Sequence, residues 1–271
     1  MTLPKNFFLI RHGKSEGNAF NQRSRAGDDS EYTDEFRNRP SSDWRLTNTG
    51  INQVRAAGTW LQDNFDEPFH RLYASEYVRA IESAYELGIE TELDWYLDIN
   101  LRERDYGQMD VLTEEQRATA FAEEYRRRKM NPFIWCPPGG ESIATTCQRA
   151  DRTLGTLHRE CSSQNVGAVC HGEMMWAFVV KIERMSQTKY MRLHLSRDPH
   201  DHFHNAQIIH YSRVNPAKPD GKLAPHLNWR RSICPWDTSK STNEWEEVVR
   251  PRYSRDDLRK LFESYPRLIE D

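Results

Sequence analysis

Short apolar runs, each closed by a glycine or a polar residue, punctuate an otherwise polar chain. Residues 7–10 (Phe-Phe-Leu-Ile) and 166–170 (Val-Gly-Ala-Val-Cys) are too short for helices and predict buried strands. Further strands are expected at 70–74, at 93–97 and near 206–212. Between them the apolar positions move to helical spacing. In 47–64 they fall at Ile51, Val54, Ala57 and Leu61, with Phe65 just beyond, and similar segments lie at 77–88, 113–129, 142–162 and 173–185. Strands alternating with helices over the first two-thirds predict an α/β fold, a three-layer α/β/α sandwich on a mostly parallel central sheet. No internal repeat or low-complexity tract interrupts this alternation.

Two strands end in the same way. Residues 7–10 run into Arg11-His12-Gly13, and 166–170 run into His171-Gly172. Open α/β sheets place their ligands beyond the carboxyl ends of parallel strands. A guanidinium beside an imidazole, with a glycine that lets the backbone come close, suits a phosphate group.

Three stretches exceed ordinary connection lengths: 19–45, 105–140 and 213–271. The first two are expected to lie near the site. Trp229, Trp236 and Trp245 argue against disorder in the third, so 213–271, with a helical pattern from Ser254 to Ser264, is expected to pack on the domain. Arg23, Arg25, Arg37, Arg39 and Arg126 to Lys129 could line the mouth and read a second anionic group on a substrate. They could equally form a solvated face.

Charge and composition narrow the partners. The chain has 38 basic and 41 acidic residues, a net charge of −3, and 37% hydrophobic residues. That balance gives no electrostatic reason to expect nucleic acid or a membrane surface, and no apolar run is long enough to span a bilayer. The first strand begins within a few residues of Met1, so no signal peptide is expected. Five cysteines without a Cys-x-x-Cys pair point to reduced thiols and a cytoplasmic setting; Cys170 reads as a strand-core residue. His200, His202 and His204 would share one face of a strand, as metal ligands can, but no fourth ligand is evident and no metal is expected.

Further segments follow in order: Leu46-Thr47-Asn48-Thr49-Gly50, with a helix beginning after Thr47; Ser75-Glu76-Tyr77-Val78-Arg79-Ala80; Leu101-Arg102-Glu103-Arg104-Asp105-Tyr106-Gly107; and Pro138-Gly139-Gly140-Glu141-Ser142. Together with the two His-Gly strand ends, this ordered set resembles the histidine phosphatase superfamily, also called phosphoglycerate mutase-like, on its phosphatase side. The resemblance covers roughly residues 5–212. It implies a catalytic domain over 1–212 followed by an extension at 213–271.

The roles implied by the resemblance agree with the chemistry of the residue types. His12 would be the nucleophile and carry a phosphohistidine. Arg11 and Arg79 would bind the phosphoryl oxygens through planar donor forks, and His171 would donate to them, most usefully as imidazolium. Glu103 would be the general acid and then the base for water, with Asp105 and Glu173 as rival acids. Asn18, the Gly172 amide, Ser15 and Tyr106 are the expected substrate contacts, Ser15 with the alternative of only shaping its loop. Glu141 and Ser142 are expected to organise a helix start.

The expected activity is a metal-independent phosphatase of the histidine acid phosphatase type, with no cofactor, acting on a phosphorylated small molecule. A homodimer is left open. Two alternatives share the machinery or its remains. One is a phosphoglycerate mutase-type transfer, favoured by the loose similarity of Tyr125-Arg126-Arg127 to a basic stretch of the mutases. The other is a phosphate-binding adaptor without turnover, which would need neither His12 nor Glu103.

Overall fold

The computed structural model describes residues 2–89, 92–218 and 221–269. Among these residues, seven strands form one sheet: β1 (Asn6–Arg11), β2 (Arg71–Ala74), β3 (Trp95–Leu97), β4 (Asn165–Cys170), β5 (Ile208–Ser212), β6 (Trp229–Ile233) and β7 (Glu246–Glu247). Their order is β3-β2-β4-β1-β5-β6-β7. The first four are parallel, and β5, β6 and β7 add successively antiparallel edges. β1 and β4 pair in register, Arg11 opposite Cys170, so the two His-Gly turns leave the sheet side by side at its carboxyl end.

Strand alternation divides the core into two layers. Phe7 and Leu9 of β1 pack with Val166, Ala168 and Cys170 of β4 against α7 (Ile143–Glu160) and α8 (Gly172–Glu183). Phe8 and Ile10 face the other way, with Val169 and Ala74, against Val54, Ala57 and Leu61 of α3 (Asn48–Asn64) and Ala80 and Ala84 of α4 (Val78–Glu86). Each of these fully buried large side chains contributes about 1.5–3 kcal/mol of transfer free energy. The result is the three-layer α/β/α arrangement expected from the alternation.

The helices begin where the sequence supplies caps. Thr47 accepts from the Gly50 amide at the head of α3, and Ser142 and Thr145 form a capping box at the head of α7. Several expectations need correction. Residues 113–129 form two helices, α5 (Glu114–Ala120) and α6 (Ala122–Met130), because Phe121 leaves helical geometry at φ −124°, ψ 33°. The segment 19–45 is not a plain loop: α1 (Glu16–Arg25) and α2 (Asp34–Asn38) occupy much of it. The short helix α9 (Gln187–His194) has too brief an apolar pattern to have been anticipated.

In the last part of the chain, β6 and β7 extend the sheet and α10 (Arg255–Glu263) lies wholly exposed, with Ser254 as its N-cap. Within 213–271, β6 and β7 thus join the sheet and α10 does not pack on it. Residues 199–201 form a 3-10 turn rather than a strand. His200, His202 and His204 bond separately to Asp198, the Ser196 carbonyl and the Pro199 carbonyl.

Candidate active site

His12 leaves the end of β1 with its amide on the Cys170 carbonyl at 3.0 Å. Its ring is buried, and Nδ1 lies 2.7 Å from the Gly13 carbonyl. A carbonyl can only accept, so Nδ1 carries the proton and Nε2 keeps its lone pair. Arg79 Nε donates to that Nε2 at 3.3 Å. Burial, with Arg79 and Arg11 close by, holds the His12 imidazole well below the usual histidine range. The ring is therefore neutral, with its proton on Nδ1 and its lone pair on Nε2.

Arg79, in the first turn of α4, is fixed from three sides. Its Nη1 donates to the Ser41 carbonyl at 2.6 Å, and its guanidinium lies over the Tyr77 ring at 4.8 Å. Ser83 Oγ donates to the Arg79 carbonyl at 2.6 Å and accepts the Gly13 amide at 3.1 Å. One hydroxyl thus ties α4 to the loop that carries His12.

His171 stands 5.0 Å from His12 between ring centroids. Its Nε2 lies 2.8 Å from Ser75 Oγ, while its Nδ1 is buried without a partner. The imidazolium is expected with an anionic phosphate bound, and without one the balance runs the other way. Burial first, then Arg79, His12 and Arg11, press its titration well below the usual range, so the ring is neutral in the empty site. An anion at the site would work in the opposite direction.

Arg11 donates from Nη1 to the Phe203 carbonyl at 2.5 Å, and its buried Nε is unpartnered. Gly172 permits this placement, because a Cβ there would stand 3.3 Å from the guanidinium carbon.

Glu103 reaches the site on a loop that α7 holds in place. Arg149 donates to the carbonyls of Asn100, Arg102 and Glu103 at 2.8, 2.8 and 3.3 Å. The same guanidinium is braced by the Glu141 carboxylate at 2.9 and 2.6 Å. Ser142 thus organises a helix start, whereas Glu141 instead braces the arginine that holds the Glu103 loop. The Glu103 carboxylate accepts the Arg104 amide at 2.9 Å. Burial and the neighbouring Glu173 raise its titration, against the pull of the Arg104 amide, Arg79 and Arg11. A carboxyl pushed upward keeps its proton to a higher pH than a free one, the direction a general acid needs.

A cavity of about 330 Å³ opens in front of His12. Ser15, Asn18, Arg79, Glu103 and Tyr106 line it with His12, whereas Arg11, His171 and Gly172 are not part of its lining. Asn18 Oδ1 accepts from Asn205 Nδ2 at 3.0 Å and from the Ser15 amide at 3.3 Å, which leaves the Asn18 NH2 as its free donor. Ser15 is buried and caps α1, accepting the Asn18 amide, so its first role is to shape the loop. The Tyr106 hydroxyl donates to Glu173 at 3.4 Å.

The sequence profile of the histidine phosphatase superfamily (branch 1) matches residues 7–204. The chain belongs to this superfamily. Among related proteins, the 2,3-bisphosphoglycerate-dependent phosphoglycerate mutase of Sinorhizobium fredii is 26% identical over 69% of the chain and 84% of its own length. The human 6-phosphofructo-2-kinase/fructose-2,6-bisphosphatase 1 is 27% identical over 64% of the chain and 31% of its own length. The fold is shared with mycobacterial glucosyl-3-phosphoglycerate phosphatase, solved with VO3 (TM-score 0.60, 23% identity, 77% and 92% of the two chains). It is also shared with the alpha-ribazole phosphatase of Shigella flexneri (TM-score 0.60, 19% identity, 78% and 91%).

Within this superfamily fold, the outer wall of the cavity departs most from the reading of the sequence. Of the expected basic residues, Arg25 and Arg128 line the cavity. Lys129 does not line it, and five others engage partners elsewhere: Arg23 with Glu31, Arg37 with Gln116, Arg39 with Glu35, Arg126 with Glu123 and Arg127 with Glu124. Trp44, Tyr77, Asp110, Glu114 and Arg117 line the cavity without having been anticipated. Only Arg104, adjacent to Glu103 and over the Tyr106 ring at 5.3 Å, had a signal in its neighbours.

Proposed function

We propose that the protein is a phosphomonoester hydrolase that works through a phosphohistidine at His12 Nε2 on a phosphorylated small molecule. The observation that carries this reading is the fixed tautomer of His12, with Nδ1 committed to Gly13 and Nε2 facing Arg79 beside the cavity that holds Glu103. Nε2 attacks phosphorus as the ester P–O bond breaks, and the leaving oxygen takes the proton of Glu103. The carboxylate left behind draws a proton from water. That water attacks phosphorus, the P–N bond breaks, and phosphate departs while Nε2 regains its lone pair. Arg11, Arg79 and the Asn18 NH2 supply charge and donors to the equatorial oxygens, work done by a metal ion in other phosphoryl-transfer sites, so activity is expected to survive chelation.

The mutase reading has the names of the sequence relatives on its side. Against it, of the stretch similar to a mutase's, Tyr125 lines the cavity and donates to Glu114, but Arg126 and Arg127 pair with Glu123 and Glu124 and do not line it. The test is an assay on a generic aryl phosphate at mildly acidic pH with EDTA present, alongside 3-phosphoglycerate with 2,3-bisphosphoglycerate. Release of phosphate, abolished in His12→Ala, is expected. A purified protein that interconverts phosphoglycerates faster than it releases phosphate would be a mutase. Turnover that persists in His12→Ala would overturn the mechanism.

A further inference from the structure

The wall that α1, α5 and α6 contribute to the cavity contains a carboxylate, Glu114, among its arginines. Glu114 is the first residue of α5, and its amide donates to Ser24 Oγ of α1 at 2.8 Å, so its backbone is pinned between two helices. Its Oε1 accepts the Tyr125 hydroxyl of α6 at 3.0 Å. Its Oε2 lies between two guanidiniums, 3.8 Å from Arg25 Nε and 3.9 Å from Arg117 Nη1.

All four side chains line the same cavity as His12. The two cations are therefore already answered, though at distances longer than a direct hydrogen bond. Arg117 is further committed to the Met109 carbonyl at 3.0 Å. Asp110 also lines the wall. The remaining cavity arginine of this cap, Arg128, lies over Trp135. Glu114 thus already answers Arg25 and Arg117, and a second anion entering beside them would meet a carboxylate fixed in place.

We infer that Glu114 is a specificity residue that rejects a second anionic group, so that the preferred substrates are phosphomonoesters whose far end carries neutral hydroxyls. This rests on the hydrolase reading above and adds a substrate class to it. The wall supports the hydroxyl side as well. Ser42, Asn21 and Asp110 offer donors and acceptors, and Trp44 and Tyr32 offer aromatic faces, the mixture that reads a polyol. An acid opposite an incoming acid is selection by repulsion, one of the two routes to specificity.

The experiment compares sn-glycerol 3-phosphate with 3-phosphoglycerate, two phosphomonoesters that differ in a hydroxymethyl against a carboxylate. The wild-type enzyme is expected to favour the neutral-ended ester by at least about tenfold in kcat/KM. Glu114→Gln keeps the shape, removes the charge and frees Arg25 and Arg117, so the ratio should move toward 3-phosphoglycerate by about tenfold or more. Arg25→Gln, at an exposed position, should move it the other way by a few fold.

A merely structural Glu114 would lower both rates together and leave the ratio fixed, and that result overturns the inference, as does a wild-type preference for 3-phosphoglycerate. Should Glu114→Gln fail to fold, the direction of the Arg25→Gln shift decides. Absence of turnover on both esters and on an aryl phosphate would instead contradict the hydrolase reading itself.

Discussion

The inner and outer halves of the site are built from different materials. The inner half is the end of the parallel sheet. His12, Cys170 and His171 are buried, the strands beneath them are continuously apolar, and each ring nitrogen that forms a bond does so to a fixed neighbour. The outer half is the helical cap made by α1, α2, α5 and α6. Neither α5 nor α6 buries a residue, and α2 buries only Phe36, which stacks on Trp44 at 4.9 Å between centroids. Elsewhere the cap is joined by partly exposed ion pairs such as Arg39–Glu35, Arg25–Glu114 and Arg126–Glu123. Pairs of this kind contribute roughly 0–1 kcal/mol each, whereas the strand core beneath His12 is held by dense apolar packing. On the proposed mechanism the difference separates two tasks: the sheet ends and the elements packed on them hold the reacting groups, and the cap can be remodelled to choose substrates without disturbing them.

The largest effect that can break this division belongs to the inner half. Glu103→Gln keeps the shape and loses the proton. It should slow hydrolysis of alkyl phosphates by about 10²–10⁴-fold and that of aryl phosphates, whose leaving groups need little help, far less. Equal losses on the two classes would move the acid to Glu173 or Asp105.

A smaller effect should follow from the cap. A methyl group at Gly17, within α1, would overlap the Trp44 ring and displace it. Gly17→Ala should raise KM by roughly tenfold, the signature of lost uniform binding, with kcat for an aryl phosphate little changed. An equal fall in kcat would show that the cap also positions the reacting groups.

The smallest expected effect is on stability. Burial lowers the titration of His12, His171 and His210 in the folded chain. The unfolded chain therefore binds more protons than the native one below the ordinary histidine value of about 6.5, and stability should fall as the pH drops from there. Glu103 is raised instead, so its contribution is present at low pH and lost as the pH rises through its folded value. One group opposes three, and the net decline on acidification should stand. Thermal melts between pH 7.5 and 5 would show it. A Tm flat down to pH 5 would mean that those rings are not buried as neutral species.

What the sequence disclosed follows the same division. The strand ends could be read because an apolar run that stops at Arg-His-Gly or Cys-His-Gly has few structural solutions, and their pairing follows from the parallel sheet. Arg79 and Glu103 were singled out through the resemblance of their segments to the superfamily's, and the start of α3 through the Thr47 cap. The cap was not legible, because its contacts are long-range and polar. Nothing near Glu114 shows that its carboxylate meets Arg25, some 90 positions away in the chain. Nor does the run of arginines at 126–128 reveal that only the last turns toward the cavity. β6 escaped for a related reason. Its Arg230 and Arg231 look like surface residues, yet one pairs with Glu183 at 2.7 Å and the other lies over Trp60 and Trp245 at 4.7 and 4.8 Å.

The chemistry at His12 can be read directly from the position of the phosphoryl group. A reaction with an aryl phosphate, quenched in alkali within one turnover, can be digested and the phosphopeptide resolved by mass spectrometry and by phosphorus NMR. Phosphate on Nε2 of His12 is expected, because Nδ1 is held by the Gly13 carbonyl at 2.7 Å. Phosphate on Nδ1, on His171, or on no histidine while turnover continues would contradict it.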